Sequence, residues 1–367
     1  MSTLTPQATT IEPVTSPAPA PSHSGPDDTG VLVAMDKFRG SATALALGDT
    51  IARVVREHHL SVDVQPMSDG GEGFVDAFDG ETVVVSVPGP LGQEVPARIR
   101  LHETPSGLVG VLEVADVVGR DLLLAPTGAQ ALRATSAGVG HLIAAAQLMD
   151  VTALLVGCGG TATSDGGLGC YEVLERAGGL RVPVTAATDV TARFYGALDF
   201  APQKGITSED LSKVRAALAT ARATYLREHR IDVESLDRAG AAGGIAGALA
   251  ALGATLTSGF SAVSEARGLA RRAKRSGLVI TGEGRFDRSS LAGKVPVGVA
   301  SLVVAPTRLV VVCGSLESDA AAEFSRDHPD ATLVSLVERF GRQRAHRDTL
   351  ACVALAVHDV LSGFAST

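Results

Sequence analysis

The sequence predicts an α/β protein of two domains, a doubly wound parallel sheet into which a second α/β domain is inserted. Three observations carry that reading. Short apolar runs that end in polar, glycine-bearing loops and lead into amphipathic stretches recur at both ends of the chain, which is the strand–loop–helix rhythm of parallel sheets. The middle has a different rhythm, short alternating strands broken by Pro and Gly. Glycine is abundant, 41 of 367 residues, while aromatic residues make up 4% and Trp is absent; small side chains let helices lie close against strands.

Residues 31–35 form the first apolar run. A helix is predicted over 41–57, because Ala44, Leu47, Ile51 and Val54 fall on one face. A second strand over 61–65 is followed by the loop Ser68-Asp-Gly-Gly-Glu-Gly73. Strand, helix, strand makes a βαβ unit, and ligands bind beyond the C-terminal ends of such strands. Residues 82–114 read as a meander interrupted by Pro88-Gly-Pro90 and Pro105-Ser-Gly107. A helix over 136–148 leads to a strand over 153–156, and the glycine-rich stretch 157–169 opens another helix. Helices are predicted over 211–229 and 239–252, strands over 278–280, 309–313 and 332–336, and a closing helix over 349–361. The simplest assembly joins residues 30–78 and 265–367 into one discontinuous Rossmann- or flavodoxin-like domain, with 79–264 inserted. The Thr/Pro/Ala-rich tail, 1–29, is expected to be disordered, since it cannot bury enough apolar surface to offset its chain entropy.

With 45% hydrophobic residues the chain has ample core material, and its net charge of −8 without a Lys/Arg stripe speaks against nucleic acid as a partner. Cys158, Cys170, Cys313 and Cys352 are scattered and form no CxxC pair, so they read as core thiols of a reducing compartment. No long uncharged apolar run predicts a membrane span, and the first residues lack a basic start and an apolar stretch, which argues against a secretory signal. A cytoplasmic protein is expected.

Several predicted loops combine glycines with acids: Asp36; Asp69, Gly70, Gly71 and Glu72; Gly159, Gly160, Thr161 and Asp165; Gly282, Glu283 and Asp287. Glycine lets main-chain N–H groups approach an oxyanion, and a carboxylate among them can accept a hydroxyl proton. Arg39, Lys204, Arg285 and Lys294 could neutralise phosphoryl oxygens. The GxxxxGK[ST] loop and the protein-kinase motifs are absent, and Gly157-Cys-Gly-Gly-Thr-Ala-Thr163 lacks the GxGxxG spacing of a dinucleotide-binding oxidoreductase. Any nucleotide site is therefore of another design, and no metal ligands are assigned.

Eight ordered strings carry a resemblance: Asp36-Lys-Phe-Arg-Gly-Ser41, Ser68-Asp-Gly-Gly-Glu-Gly73, Gly159-Gly-Thr-Ala-Thr-Ser-Asp-Gly-Gly167, Thr188-Asp-Val-Thr191, Ala201-Pro-Gln-Lys-Gly205, Ala239-Gly-Ala-Ala-Gly-Gly244, Thr281-Gly-Glu-Gly-Arg-Phe-Asp287 and Gly293-Lys-Val-Pro-Val-Gly298. Together they resemble the signature loops of class I bacterial glycerate kinases, in the family order. The resemblance implies a two-domain glycerate kinase-like fold and ATP- and Mg²⁺-dependent phosphorylation of D-glycerate in a cleft between the domains. It points to Asp189 as base or substrate-orienting group, with Asp69 and Asp287 as rivals. Lys294, Lys204 and Arg285 would hold phosphate or carboxylate, and residues 159–165 would wrap phosphate. The chain departs from the family's Asp-Ser-Phe-Lys-Gly-Ser loop, with Lys37 for the Ser and Arg39 for the Lys. The stretch between Gly179 and Ala187 is also much shorter than the family pattern. These departures keep an alternative open, a non-catalytic or substrate-shifted relative that binds a small hydroxy acid or a protein partner.

Overall fold

The computed structural model describes residues 30–123 and 127–364; the tail 1–29, expected to be disordered, lies outside them. The described strands are β1 (Gly30–Met35), β2 (Val62–Val64), β3 (Glu81–Pro88), β4 (Glu94–Thr104), β5 (Gly107–Glu113), β6 (Ala153–Cys158), β7 (Val184–Thr188), β8 (Thr255–Ser258), β9 (Ser276–Phe286), β10 (Arg308–Leu316) and β11 (Ala331–Ser335). They form two sheets, one five-stranded in the order β11-β10-β9-β1-β2 and one six-stranded in the order β3-β4-β5-β6-β7-β8.

The first sheet is parallel throughout. Its strands are continuous apolar runs because both faces are covered. Val31, Val33, Met35, Ile280, Val310 and Val312 pack on one side against Leu47 and Ile51 of the helix Ala44–Glu57 and Val353 and Val357 of the helix Thr349–Phe364. Leu32, Ala34, Val279 and Val311 face the other way, toward Phe260, Val263, Val299 and Phe324. A fully buried Leu or Ile contributes about 1.5–3 kcal/mol. An exposed pair such as Arg176–Glu172, 4.0 Å apart, contributes at most about 1 kcal/mol. Apolar alternation therefore decides which helix covers which face. The helix predicted from residue 41 starts at Ala44, since the Thr43 hydroxyl accepts from the Ala46 N–H at 3.2 Å and caps it.

In the second sheet β3, β4 and β5 are antiparallel neighbours, as the meander predicted, while β5 through β8 are parallel. β7 and β8 have no counterpart among the predicted strands. Their sequences, Val-Thr-Ala-Ala-Thr and Thr-Leu-Thr-Ser, are short and poor in large apolar side chains. The helix predicted over 239–252 is also shorter than expected. Ala242, Gly243 and Gly244 have φ of 54°, 68° and 97°, and only Ile245–Ala251 is α-helical. This left-handed turn brings the Gly243 carbonyl to the Gly166 N–H at 3.1 Å, and a Cβ on Gly243 would sit 2.1 Å from the Thr163 carbonyl oxygen.

One apolar cluster joins the two sheets. Phe74, Val75 and Phe78, on the segment that runs from one to the other, join Val111 and Ala187 of the second sheet to Phe260, Val279 and Phe286. The loop after β2 is pressed between them. Gly259 opens the helix Gly259–Ala266, and a Cβ there would fall 2.0 Å from the Asp69 carbonyl carbon and the Gly70 nitrogen. Those are backbone atoms, so nothing can turn aside. Gly259→Ala is expected to cost on the order of 1–3 kcal/mol, the usual range for overpacking, measured by denaturant unfolding. Unchanged stability would mean that the loop yields freely.

Candidate active site

The C-terminal ends of β1, β9 and β10 face the end of β7 across a cleft of about 1190 Å³. Parallel strands expose their terminal residues to ligand at such ends. Asp36, at the end of β1, is fixed by its own N–H donating to the Gly282 carbonyl at 3.0 Å. Its Oδ1 accepts from the Lys37 N–H at 2.7 Å. The Lys37 ammonium reaches across the cleft floor to Asp69 Oδ1 at 3.4 Å and lies 3.8 Å from Asp36 Oδ1. Asp69 Oδ1 also accepts from the Gly71 N–H at 3.2 Å.

Gly71 is where these groups converge. From the position its Cβ would occupy, Asp69 Oδ1, Asp189 Oδ2 and Lys37 Nζ are 3.2, 3.8 and 3.8 Å away. The missing side chain leaves a cradle bordered by two carboxylates and an ammonium. Gly70 (φ +98°) allows the loop to press against β7, since a Cβ there would come within 2.9 Å of the Ala187 carbonyl. Gly159 closes the back of the cradle, because a Cβ on it would lie 2.7 Å from the Gly71 Cα and 3.4 Å from Asp189 Oδ2.

Burial sets the charges. It pushes Asp189 up to about 6, helped by the charge on Asp69. Asp36 is pushed up by burial and then by Asp69. Burial would raise Asp69 too, but Lys37, Lys294 and the Gly71 N–H outweigh it and hold the carboxyl below its ordinary value. Lys37 is raised, because Asp36 and Asp69 overcome the burial that would lower it. Glu283, in β9, is pushed up to about 8 by burial, and its Oε1 is buried without a hydrogen-bond partner among the described residues. Burial thus favours its protonated form, with one oxygen enclosed and unpaired.

The cleft thus gathers Asp36, Arg39, Asp69, Asp189, Glu283, Arg285, Asp287 and Lys294. Asp287 is partly committed, accepting from the Ser289 N–H and hydroxyl at 2.9 and 2.6 Å and pairing with Arg285 at 3.2 Å. Glu72 and Gly160 line the adjoining groove, which shares the 36–41 loop with the cleft. Thr161 is buried and bridges to Gly119. Asp165 lies outside both. Its carboxylate accepts from the Ser136 N–H and hydroxyl at 2.8 and 2.7 Å and from the Gly167 and Gly169 N–H groups at 3.0 and 3.3 Å. Lys204 is buried beneath the glycine-rich loop, donates to the Thr163 carbonyl at 2.5 Å and is lowered to about 8 by burial.

Some groups at the site were not among the predicted ones. Arg238 enters the cleft and donates to the Thr188 hydroxyl at 3.2 Å, and Ser315, Arg342 and His346 line the cleft wall. Glu113 ends β5, and both its oxygens accept from the Gly73 N–H at 3.0 Å; burial pushes it up to about 7. The available signal was an acid that closes the apolar run 108–112, a pattern the loop-based reading did not use.

The glycerate kinase family model matches residues 31–179 and 172–362. The chain is 32% identical to the glycerate 2-kinase of Escherichia coli K12 over 79% of its own length and 86% of the relative's. It is 32% identical to the glycerate kinase of Halalkalibacterium halodurans over 84% and 91%. A crystal structure assigned to glycerate kinase 2 of Salmonella typhimurium LT2 superposes with a TM-score of 0.74 at 26% identity, covering 92% of this chain and 99% of that one. The two packed α/β domains share the fold of that glycerate kinase structure, and the chain belongs to the glycerate kinase family. Among the described residues no helix is long and apolar enough to cross a membrane.

The Glu283 environment gives a test independent of activity. A carboxyl raised to about 8 keeps its proton in the folded protein after the unfolded chain has lost it, so folding stability falls as pH rises from about 4.3 to 8. Glu283→Gln removes that loss. It is expected to raise stability by only about 1 kcal/mol at pH 5 and by on the order of 3–5 kcal/mol at pH 8, read by urea unfolding. An equal effect at both pH values would show that Glu283 is not held protonated.

Proposed function

We propose that this chain is a cytoplasmic kinase that transfers the terminal phosphoryl group of ATP to a hydroxyl of D-glycerate, giving phosphoglycerate and ADP. The observation that carries the reading is the Gly71 cradle, where Asp69, Asp189 and Lys37 converge beside Lys294. A cleft of about 1190 Å³ has room for a small acid and a nucleotide's phosphates together.

Asp189 is the base. Ionised above about pH 6 and half-buried, it orients the glycerate hydroxyl and takes its proton as the oxygen forms its bond to phosphorus. The bond from phosphorus to the bridging oxygen breaks and the electron pair leaves with ADP. Lys294 and Arg285 face the phosphoryl in transit and offset charge on its oxygens. The substrate carboxylate meets Arg238, which lines the cleft. Asp165 and Lys204 act from below, by holding the glycine-rich loop in place.

The Mg²⁺ that the family resemblance implies does not fit between Asp36 and Asp69. Among the described residues no three His, Cys, Asp or Glu side chains are grouped to hold a metal. The space between Asp36 and Asp69 contains the Lys37 ammonium. No step is assigned to a metal here.

A coupled assay of ADP release with Mg·ATP, run over D-glycerate and a panel of other small hydroxy acids, tests the proposal. Turnover is expected with D-glycerate, and Asp189→Asn should lower kcat by about 10²–10⁴ with KM for ATP little changed. Because the base must be ionised, wild-type kcat should fall as pH drops through about 6. A folded protein without turnover on any acid would overturn the reading and favour the binding-only alternative, for which the shortened 179–187 stretch is the motive.

A further inference from the structure

Asp36, Asp69 and Asp189 meet on the floor of the cleft, where two unit charges about 4 Å apart near a protein surface repel by on the order of 4 kcal/mol. Such a cluster needs positive charge. Two devices supply it, a divalent cation bound by the carboxylates or an ammonium built into the chain. This protein has the second. Lys37 Nζ stands between Asp69 Oδ1 at 3.4 Å and Asp36 Oδ1 at 3.8 Å, with only 16% of its side chain exposed. The Lys37 N–H anchors the same Asp36 oxygen at 2.7 Å, so ammonium and carboxylate are held at neighbouring positions. From the Gly71 cradle, Lys37 Nζ is as near as Asp189 Oδ2, both 3.8 Å.

We propose that Lys37 is a resident cation of the phosphoryl-transfer site, occupying the seat between Asp36 and Asp69 that a divalent ion would otherwise take, so that the protein itself binds no divalent metal there. The idea deepens the kinase reading and rests on it only for the role of the site, not for the occupancy. The charges agree. Lys37 already stands as a fixed positive charge between Asp36 and Asp69, and Lys294 lines the same cleft. Geometry agrees as well. Mg²⁺ demands near-octahedral oxygens at about 2.0–2.1 Å, and an ammonium 3.4 Å from Asp69 Oδ1 fills the space where they would have to close in. The residue is chain-specific in its effect: a shorter neutral side chain at position 37 would leave both carboxylates unneutralised and open the seat. The metal that accompanies ATP then enters only as the nucleotide's chelate, so magnesium in excess of ATP has no second site to fill.

Mn²⁺ is the probe, and its electron paramagnetic resonance signal distinguishes free from bound ion without turnover. Nucleotide-free wild-type protein is expected to leave Mn²⁺ free. Lys37→Ser is expected to bind one Mn²⁺ per chain at least tenfold more tightly than wild type, and Lys37→Ser with Asp69→Asn to lose that site. In the ADP-release assay, Lys37→Ser should also become dependent on Mg²⁺ in excess of ATP, where wild type is indifferent. Circular dichroism establishes that each variant is folded. Wild-type protein that binds Mn²⁺ at a site abolished by Asp69→Asn would overturn the proposal. So would a folded Lys37→Ser that binds Mn²⁺ no more tightly than wild type. Neither result depends on whether glycerate is the substrate, so failure here and failure of the kinase reading remain separate.

Discussion

The close approach of one loop to three neighbours governs this molecule. Residues 68–73 leave the first sheet, pass against the end of β7 at Gly70, against Gly159 at Gly71, and against the start of the helix Gly259–Ala266 at Asp69. Each contact is backbone on backbone, and each has a glycine on at least one side. A Cβ at any of these points would enter the van der Waals radius of a main-chain atom. Because the loop sits so deep, Asp69 reaches Lys37 from one sheet while Asp189 comes in from the other. The shared apolar core around Phe74 and Phe260 holds the sheets at the separation this requires.

Burial then does the chemical work. The same exclusion of water that raises Asp189 to about 6 and Glu283 to about 8 sets the two apart, one an available base and the other an acid favoured in its protonated form. Asp69 goes the other way because two ammoniums face it. Acids of one kind thus acquire separate tasks from their neighbours alone. Farther out, the Asp165 carboxylate is saturated by main-chain and hydroxyl donors and Lys204 is tied to a carbonyl, so both organise the glycine-rich loop rather than face the cleft.

Apolar periodicity located the strands that begin and end the first sheet, and the long helix Leu211–His229 agrees with its predicted bounds. It failed at β7 and β8, where small and hydroxyl-bearing residues make strands through pairing with buried neighbours rather than through their own pattern. It failed again at Ala242–Gly244, where an Ala/Gly-rich run favours helix locally but the approach of Thr163 demands a left-handed turn.

By itself the sequence determined the α/β class, the order of elements in the first sheet and the loops in which acids and glycines occur together, because alternation and loop composition are local properties written along the chain. Only the tertiary structure decided which of those acids meet. Asp36, Asp69, Asp189 and Lys294 are far apart in sequence, and whether they share a cleft depends on distances of a few ångströms between loops from two sheets. Lys37 shows the difference most clearly. In sequence it is a substitution in a motif; in the fold it is the charge that two buried carboxylates require.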